Sequence, residues 1–68
     1  MLAVNNLRKG LRYSIRNNGD TCEFEVLEFL GDDDYRIKDL FSLEIITLSE
    51  FLRWGIGKDF ELLEINNE

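Results

Sequence analysis

The dipeptide Asn18-Gly19 lies between two stretches in which apolar residues recur at every second position. Leu11, Tyr13 and Ile15 alternate with Arg12, Ser14 and Arg16 before it, and Cys22, Phe24 and Val26 alternate with Glu23 and Glu25 after it. Asn-Gly accepts the positive φ that both central residues of a tight hairpin turn require, so this pattern predicts two antiparallel strands. With Asn18-Gly19 in the turn, Ile15 faces Cys22, Tyr13 faces Phe24 and Leu11 faces Val26. On the other face Ser14 meets Glu23, Arg12 meets Glu25 and Lys9 meets Glu28. One register makes apolar pairs on one side and opposite-charge pairs on the other, and a one-residue slip would ruin both.

Beyond Val26 the period breaks. Leu27 and Phe29 fall on the opposite parity, which predicts a bulge or bend near Val26-Leu27 that returns both to the core. Gly31-Asp32-Asp33-Asp34 reads as a turn, 35–38 as a third strand and 43–48 as a fourth. Thr47 and Glu50 have capping-box spacing, with Ser49 as a rival N-cap. Leu48, Phe51 and Leu52 share one face of a helix of barely two turns, stopped by Gly55. A turn over 55–59 leads into a last strand over 60–65. Residues 1–7 read as a lead-in and 66–68 as a polar tail, so the whole chain is expected to be one domain. Apolar doublets at 26/27, 29/30, 45/46 and 62/63 fit strands bent enough to turn a barrel corner.

From Leu11 to Ile65 this succession of four bent strands, a helical turn and a closing strand resembles small Src-homology-3-like barrels. The expected fold is mainly β: a small antiparallel bent sheet or barrel of about five strands with one short helix before the last. The resemblance is architectural, and no sequence motif of a particular family accompanies it. Most of the aromatic residues sit at core phase, so the Pro-rich peptide groove of those domains is not carried over.

Composition narrows the chemistry. The 68 residues contain no His, no Pro and one Cys, and carry a net charge of −6. Without His, Ser-His-Asp and Cys-His catalysis are excluded, and one thiol makes no zinc site. Asp32-Asp33-Asp34 lacks the alternation of a calcium loop and reads as a solvated turn. Glu23, Glu25, Glu28, Glu61 and Glu64 have no pocket to work in, because a barrel of this size is filled by its own side chains. Gly55-Ile56-Gly57-Lys58 lacks the remainder of a phosphate loop. Cys22 has inward phase and is expected to be buried and chemically quiet. The expectation is a protein that is not an enzyme and takes no cofactor or metal. No apolar run is long enough to span a bilayer and no signal peptide is evident, so the expected location is the cytoplasm.

Two features bear on partners. The basic residues Arg8, Lys9, Arg12 and Arg16 are the only charged side chains in residues 1–16 (+4), whereas residues 17–68 hold four basic against fourteen acidic ones (−10). The first cluster is a candidate for nucleic-acid contact, against which stands the repulsion of phosphates by an acidic chain. The second is the support for an acidic inhibitor that mimics nucleic acid. The cluster Phe41, Trp54 and Ile56 falls in or beside turns. Trp54 lies roughly 200° around the helix from Leu52, away from the apolar face. These three residues are the candidate protein-contact surface, and the leading expectation is a protein-interaction or accessory module, with a homodimer as one form of it. The other reading of Trp54 is a plug at the end of the core, covered by the 1–7 lead-in.

Overall fold

A computed structural model describes residues 6–65, which form β1 (Arg12–Asn17), β2 (Asp20–Gly31), β3 (Asp34–Asp39), β4 (Ile45–Thr47), α1 (Leu48–Phe51) and β5 (Glu61–Glu64). The strands make one antiparallel sheet in the order β4-β3-β2-β1-β5. Asn18 and Gly19 have φ of 53° and 84°, the two positive values of a type I′ turn, whose twist matches that of the strands it joins. Tyr13 pairs with Phe24, Ile15 with Cys22, Ser14 with Glu23 and Arg12 with Glu25, as the alternation predicts. Leu11 and Val26 continue the ladder through a Val26 N–H to Leu11 C=O hydrogen bond of 3.0 Å.

The inner face carries the core. Tyr13 and Ile15 from β1, Cys22, Phe24 and Val26 from β2, Tyr35 and Ile37 from β3, and Leu62 from β5 are buried, together with Leu7 and Leu48. β1 is an inner strand of the sheet, and its Ile15 lies between Cys22 on one side and Leu62 on the other. The principal extents of 28 × 28 × 23 Å are nearly equal, so the sheet curls around its own inner face; a flat sheet has strands only about 4.8 Å apart in one layer. Closure into a barrel does not follow: β4 and β5 remain the two edges, and the sheet is open.

Several sequence expectations are corrected. The predicted irregularity is present, as a register shift between Val26 and Glu28, but it leaves Leu27 half-buried and Phe29 exposed. Phe29 instead packs against the Tyr35 ring at 5.2 Å between centroids, at the rim of the core. The doublets therefore do not turn barrel corners. Ile46 and Leu62 face in while their neighbours Ile45 and Leu63 stay exposed, the ordinary alternation of an open strand. Lys9 does not meet Glu28. The chain turns over residues 8–11, with Gly10 at φ 87°, and the bulge hands Glu28 to Arg36 on β3, where the two form an ion pair.

The fourth strand is shorter than predicted because Asp39 takes the preceding residues into a loop. Its carboxylate accepts the N–H groups of Phe41 and Ser42, its backbone C=O accepts that of Leu43, and Leu43 adopts φ 66°. Asp34 starts β3 instead of ending the turn, and Asp32 and Asp33 supply the positive φ values there. The helix is a single turn. Thr47 is its N-cap, accepting the Glu50 N–H at 3.2 Å, and the chain leaves helical geometry at Leu52 rather than at Gly55. Leu7 joins the core, so the lead-in is structural at its end. Residues 1–5 and 66–68, which hold the remainder of the lead-in and the polar tail, lie outside the described residues.

Because Ile15 touches both neighbouring strands at the centre of the core, Ile15→Ala should cost roughly 2–5 kcal/mol. A domain this small has a total stability of about 5 kcal/mol. The expected outcome by circular dichroism is loss of the cooperative melting transition. Leu63→Ala, on the solvent side of the neighbouring strand, should stay within about 0.5 kcal/mol of the wild type.

Candidate functional site

Among the described residues, Asn17 is the one buried polar residue, in phase with Tyr13 and Ile15 on the core face. A buried amide needs partners, and it finds them in the segment after α1. Its Nδ2 donates to the Gly55 C=O at 3.0 Å, and its Oδ1 accepts the Gly57 N–H at 2.8 Å. The adjoining turn is held by Asp59, whose Oδ1 accepts the Asn18 N–H at 2.7 Å and whose Oδ2 accepts the Gly19 N–H at 2.8 Å. A Cβ at Gly57 would meet the end of the exposed Asn18 side chain, so a larger residue there would push that amide aside. The hairpin tip and the 55–59 loop are thus latched together by side-chain-to-backbone hydrogen bonds running in both directions.

Trp54 and Ile56 flank Gly55 on this latched segment. Trp54 is 81% exposed and Ile56 59% exposed. Trp54 is exposed as expected but not by helical angle, since the helix ends at Phe51: Leu48 is buried and Phe51 and Leu52 pack on the core, while Trp54 follows in the turn beyond. The indole borders an open groove of about 320 Å³ lined also by Ile46, Phe51, Asp20, Glu50 and Arg53. The Arg53 guanidinium lies 5.4 Å from the centre of the indole and 3.9 Å from the Glu50 carboxylate. Apolar floor, aromatic wall and acidic rim come from β4, α1 and the hairpin.

Phe41 belongs to another place. It is 98% exposed at the tip of the Asp39 loop and lines a separate groove of about 350 Å³ with Thr21, Glu23 and Leu40. The structure therefore keeps Trp54 and Ile56 on one segment, with Trp54 alone of the three bordering the first groove, and leaves Phe41 apart from them.

The basic residues are largely engaged with acids of the same sheet. Arg12 lies 3.5 Å from Glu25 and Arg16 lies 3.0 Å from Glu61. Arg8 and Lys9 are exposed in the turn before β1, where the Arg8 N–H donates to the Tyr13 hydroxyl at 2.9 Å. Among the described residues, no three acidic or thiol side chains converge as metal ligands.

The titratable groups with altered acidity are structural. Burial, then the Asp39 carboxylate 3.5 Å from Sγ, push the Cys22 thiol from 9.0 up to about 12. Three aspartates are held below the usual carboxylate range. For Asp39 the cause is the Ser42 and Phe41 N–H groups, and for Asp59 those of Gly19 and Asn18. For Asp34, desolvation acts upward and is outweighed by the Ser49 hydroxyl and N–H and by the Tyr35 N–H.

The sequence placed Trp54 and Ile56 at the surface, where they lie, and missed what holds their segment. One signal was available: the inward phase of Asn17 places a polar side chain where only a hydrogen-bonded one is tolerated. Asp59, Asp20 and Glu50 gave none, because each meets the site through the tertiary fold. No protein-family model, no curated protein and no solved structure matches the chain.

Two measurements follow from the acidities. Above about pH 5 the three aspartates are ionised in folded and unfolded chain alike, and their stabilisation is complete. As pH falls through their lowered folded values the unfolded chain binds more protons, and that stabilisation is lost. The melting temperature should therefore drop below about pH 4, and the drop should be smaller in Asp59→Ala, which starts lower at neutral pH. An acid profile of Asp59→Ala parallel to that of the wild type would contradict this. For Cys22, maleimide labelling at neutral pH should be slower in the folded protein than in denaturant by on the order of a thousandfold, from the thiolate fraction alone.

Proposed function

We propose that this chain is a non-enzymatic protein-contact module working through the latched segment that carries Trp54 and Ile56. The observation that carries the reading is an indole 81% exposed beside backbone, at Gly55 and Gly57, that is hydrogen-bonded to the hairpin tip. A large exposed aromatic on so small a domain is costly in solubility unless something covers it. Tryptophan in a fixed position is also the side chain most often dominant in binding, because burying it gains much area for little lost freedom. The adjoining groove suits a partner side chain that is apolar or aromatic at its centre and basic at its edge, to meet Asp20 and Glu50. A second copy of the chain is one such partner.

The Src-homology-3-like reading belongs to the same proposal. It is supported by the strand order β4-β3-β2-β1-β5 and by the helical turn before β5. A cytoplasmic location is supported by the single unpaired cysteine. Nucleic-acid contact is the weaker reading, since Arg12 and Arg16 already face Glu25 and Glu61.

The test compares wild type with Trp54→Ala in sedimentation over a range of concentrations and in quantitative capture from the source cell. Trp54→Ala should melt within a few degrees of wild type, as an exposed substitution does. It should weaken self-association or partner capture roughly thirtyfold, the loss typical of a hot-spot tryptophan. Unchanged association, or an unfolded variant, would remove Trp54 from the working surface.

A further inference from the structure

The turn that closes the β1–β2 hairpin is also a chemical weak point. In an Asn-Gly pair the glycine nitrogen can attack the preceding side-chain amide without a Cβ in its way. Gly19 N loses its proton to hydroxide and bonds to Cγ of Asn18. The Cγ–Nδ2 bond then breaks, and ammonia leaves with a proton from water. Water opens the resulting succinimide at either carbonyl, giving aspartate or isoaspartate. The balance is one water consumed and one ammonia released, with hydroxide regenerated.

Two features of the structure act on this chemistry in opposite directions. Asn18 is exposed, and its Nδ2 makes only a long hydrogen bond of 3.4 Å to the Gly55 C=O. The leaving group is therefore accessible to water. The attacking nitrogen is restrained: its N–H is donated to Asp59 Oδ2 at 2.8 Å. Removing that proton would place an amide anion against a carboxylate, which like-charge repulsion opposes.

We propose that Asn18 is a spontaneous deamidation site which Asp59 holds in check, and that its conversion to aspartate or isoaspartate releases the segment carrying Trp54 and Ile56. With Asn18 intact, its backbone N–H and that of Gly19 bind one carboxylate, and its amide faces the Gly55 C=O and the space beside Gly57. An aspartate at 18 replaces the Nδ2 donor with an oxygen facing that same C=O. It also adds a negative charge one peptide away from the groups bound by Asp59. Isoaspartate does more, because it inserts a methylene into the backbone of a two-residue turn whose two positive φ values set the hairpin. Either product weakens the latch, while the core pairs from Ile15–Cys22 onward are untouched. The proposal concerns the latch chemistry and stands whether or not Trp54 meets a partner.

The test is incubation of the purified protein at mildly alkaline pH with peptide mapping of Asn18 and enzymatic assay of isoaspartate. Folded wild type should convert more slowly than the same protein in urea. Asp59→Ala, with folding checked by circular dichroism, should convert roughly tenfold faster than folded wild type or more, the rate equivalent of one lost charge-assisted hydrogen bond. If Asp59→Ala does not fold, Asp59→Asn, which keeps a single carbonyl acceptor and no charge, takes its place and should also convert faster. A folded Asp59 variant with the wild-type rate, or a wild type as fast folded as in urea, overturns the proposal. The released state is read in Asn18→Asp by hydrogen exchange. The Gly57 and Gly19 amides should lose protection while that of Phe24 keeps it, and retained protection at Gly57 would overturn the second half of the proposal.

Discussion

Two adjacent residues with positive φ, Asn18 and Gly19, fix the pairing of β1 with β2, and most of the other interactions depend on that pairing. The register puts Tyr13 and Ile15 on one face with Cys22 and Phe24. It also puts Arg12 and Ser14 on the other face beside Glu25 and Glu23. Once β1 is placed, its free side receives β5, so that Ile15 meets Leu62 and Arg16 meets Glu61. β2 extends past β1 and pairs with β3 through a bulge, and β3 recruits β4. A hairpin alone is marginal in water, and it is the apolar inner face shared by five strands that makes this one stable.

The same turn has a second role. A hairpin tip normally ends in solvent, with its backbone N–H groups bound to water. Here both N–H groups of the turn residues are bound by Asp59, and the last residue of β1, Asn17, bonds to Gly55 and Gly57. The segment between α1 and β5 contains two glycines within three residues and would be a loose loop by composition. Tying it to the hairpin replaces chain entropy with hydrogen bonds that involve a charged acceptor, which are the stronger kind. Local instability at the tip would be transmitted to the Trp54 segment before it reached the core.

Those parts of the fold that rest on local periodicity were readable from the residues. The hairpin register, the irregularity after Val26 and the Thr47 cap all follow from spacing within a few positions. Parts that rest on distant pairing were not readable. Phe29 has the right chemistry for the core and stays outside because the bulge falls where the sheet runs out of partners. Leu43 has a strand-like neighbourhood, yet the Asp39 carboxylate captures the preceding N–H groups first and draws the chain into a loop. Apolar doublets suggested closure, but 45/46 and 62/63 place one member inside and one outside, 29/30 leaves both exposed, and whether a curled sheet closes depends on the distance between its edges. The latch is intermediate: Asn17 could be singled out as a polar group at core phase, whereas Asp59 is 40 positions from Gly19 and reaches it only in three dimensions.

Phe41 and Trp54 are the two most exposed aromatic side chains among the described residues, and their supports differ in what they allow. The Phe41 loop is closed chiefly by contacts within itself through Asp39, and it reaches β2 through the Leu40 N–H to Glu23 C=O bond and the Cys22 thiol to Asp39 carboxylate bond. The Trp54 segment is bound to a hairpin that is distant in sequence, and its indole is further held by the Arg53 guanidinium. Association charges a free-energy cost for every side chain and loop that must be ordered. Trp54 has met more of that cost in folding than Phe41 has. On equal exposed area the indole is the better anchor, and Ile56, two residues further along the same latched backbone, is the natural second contact.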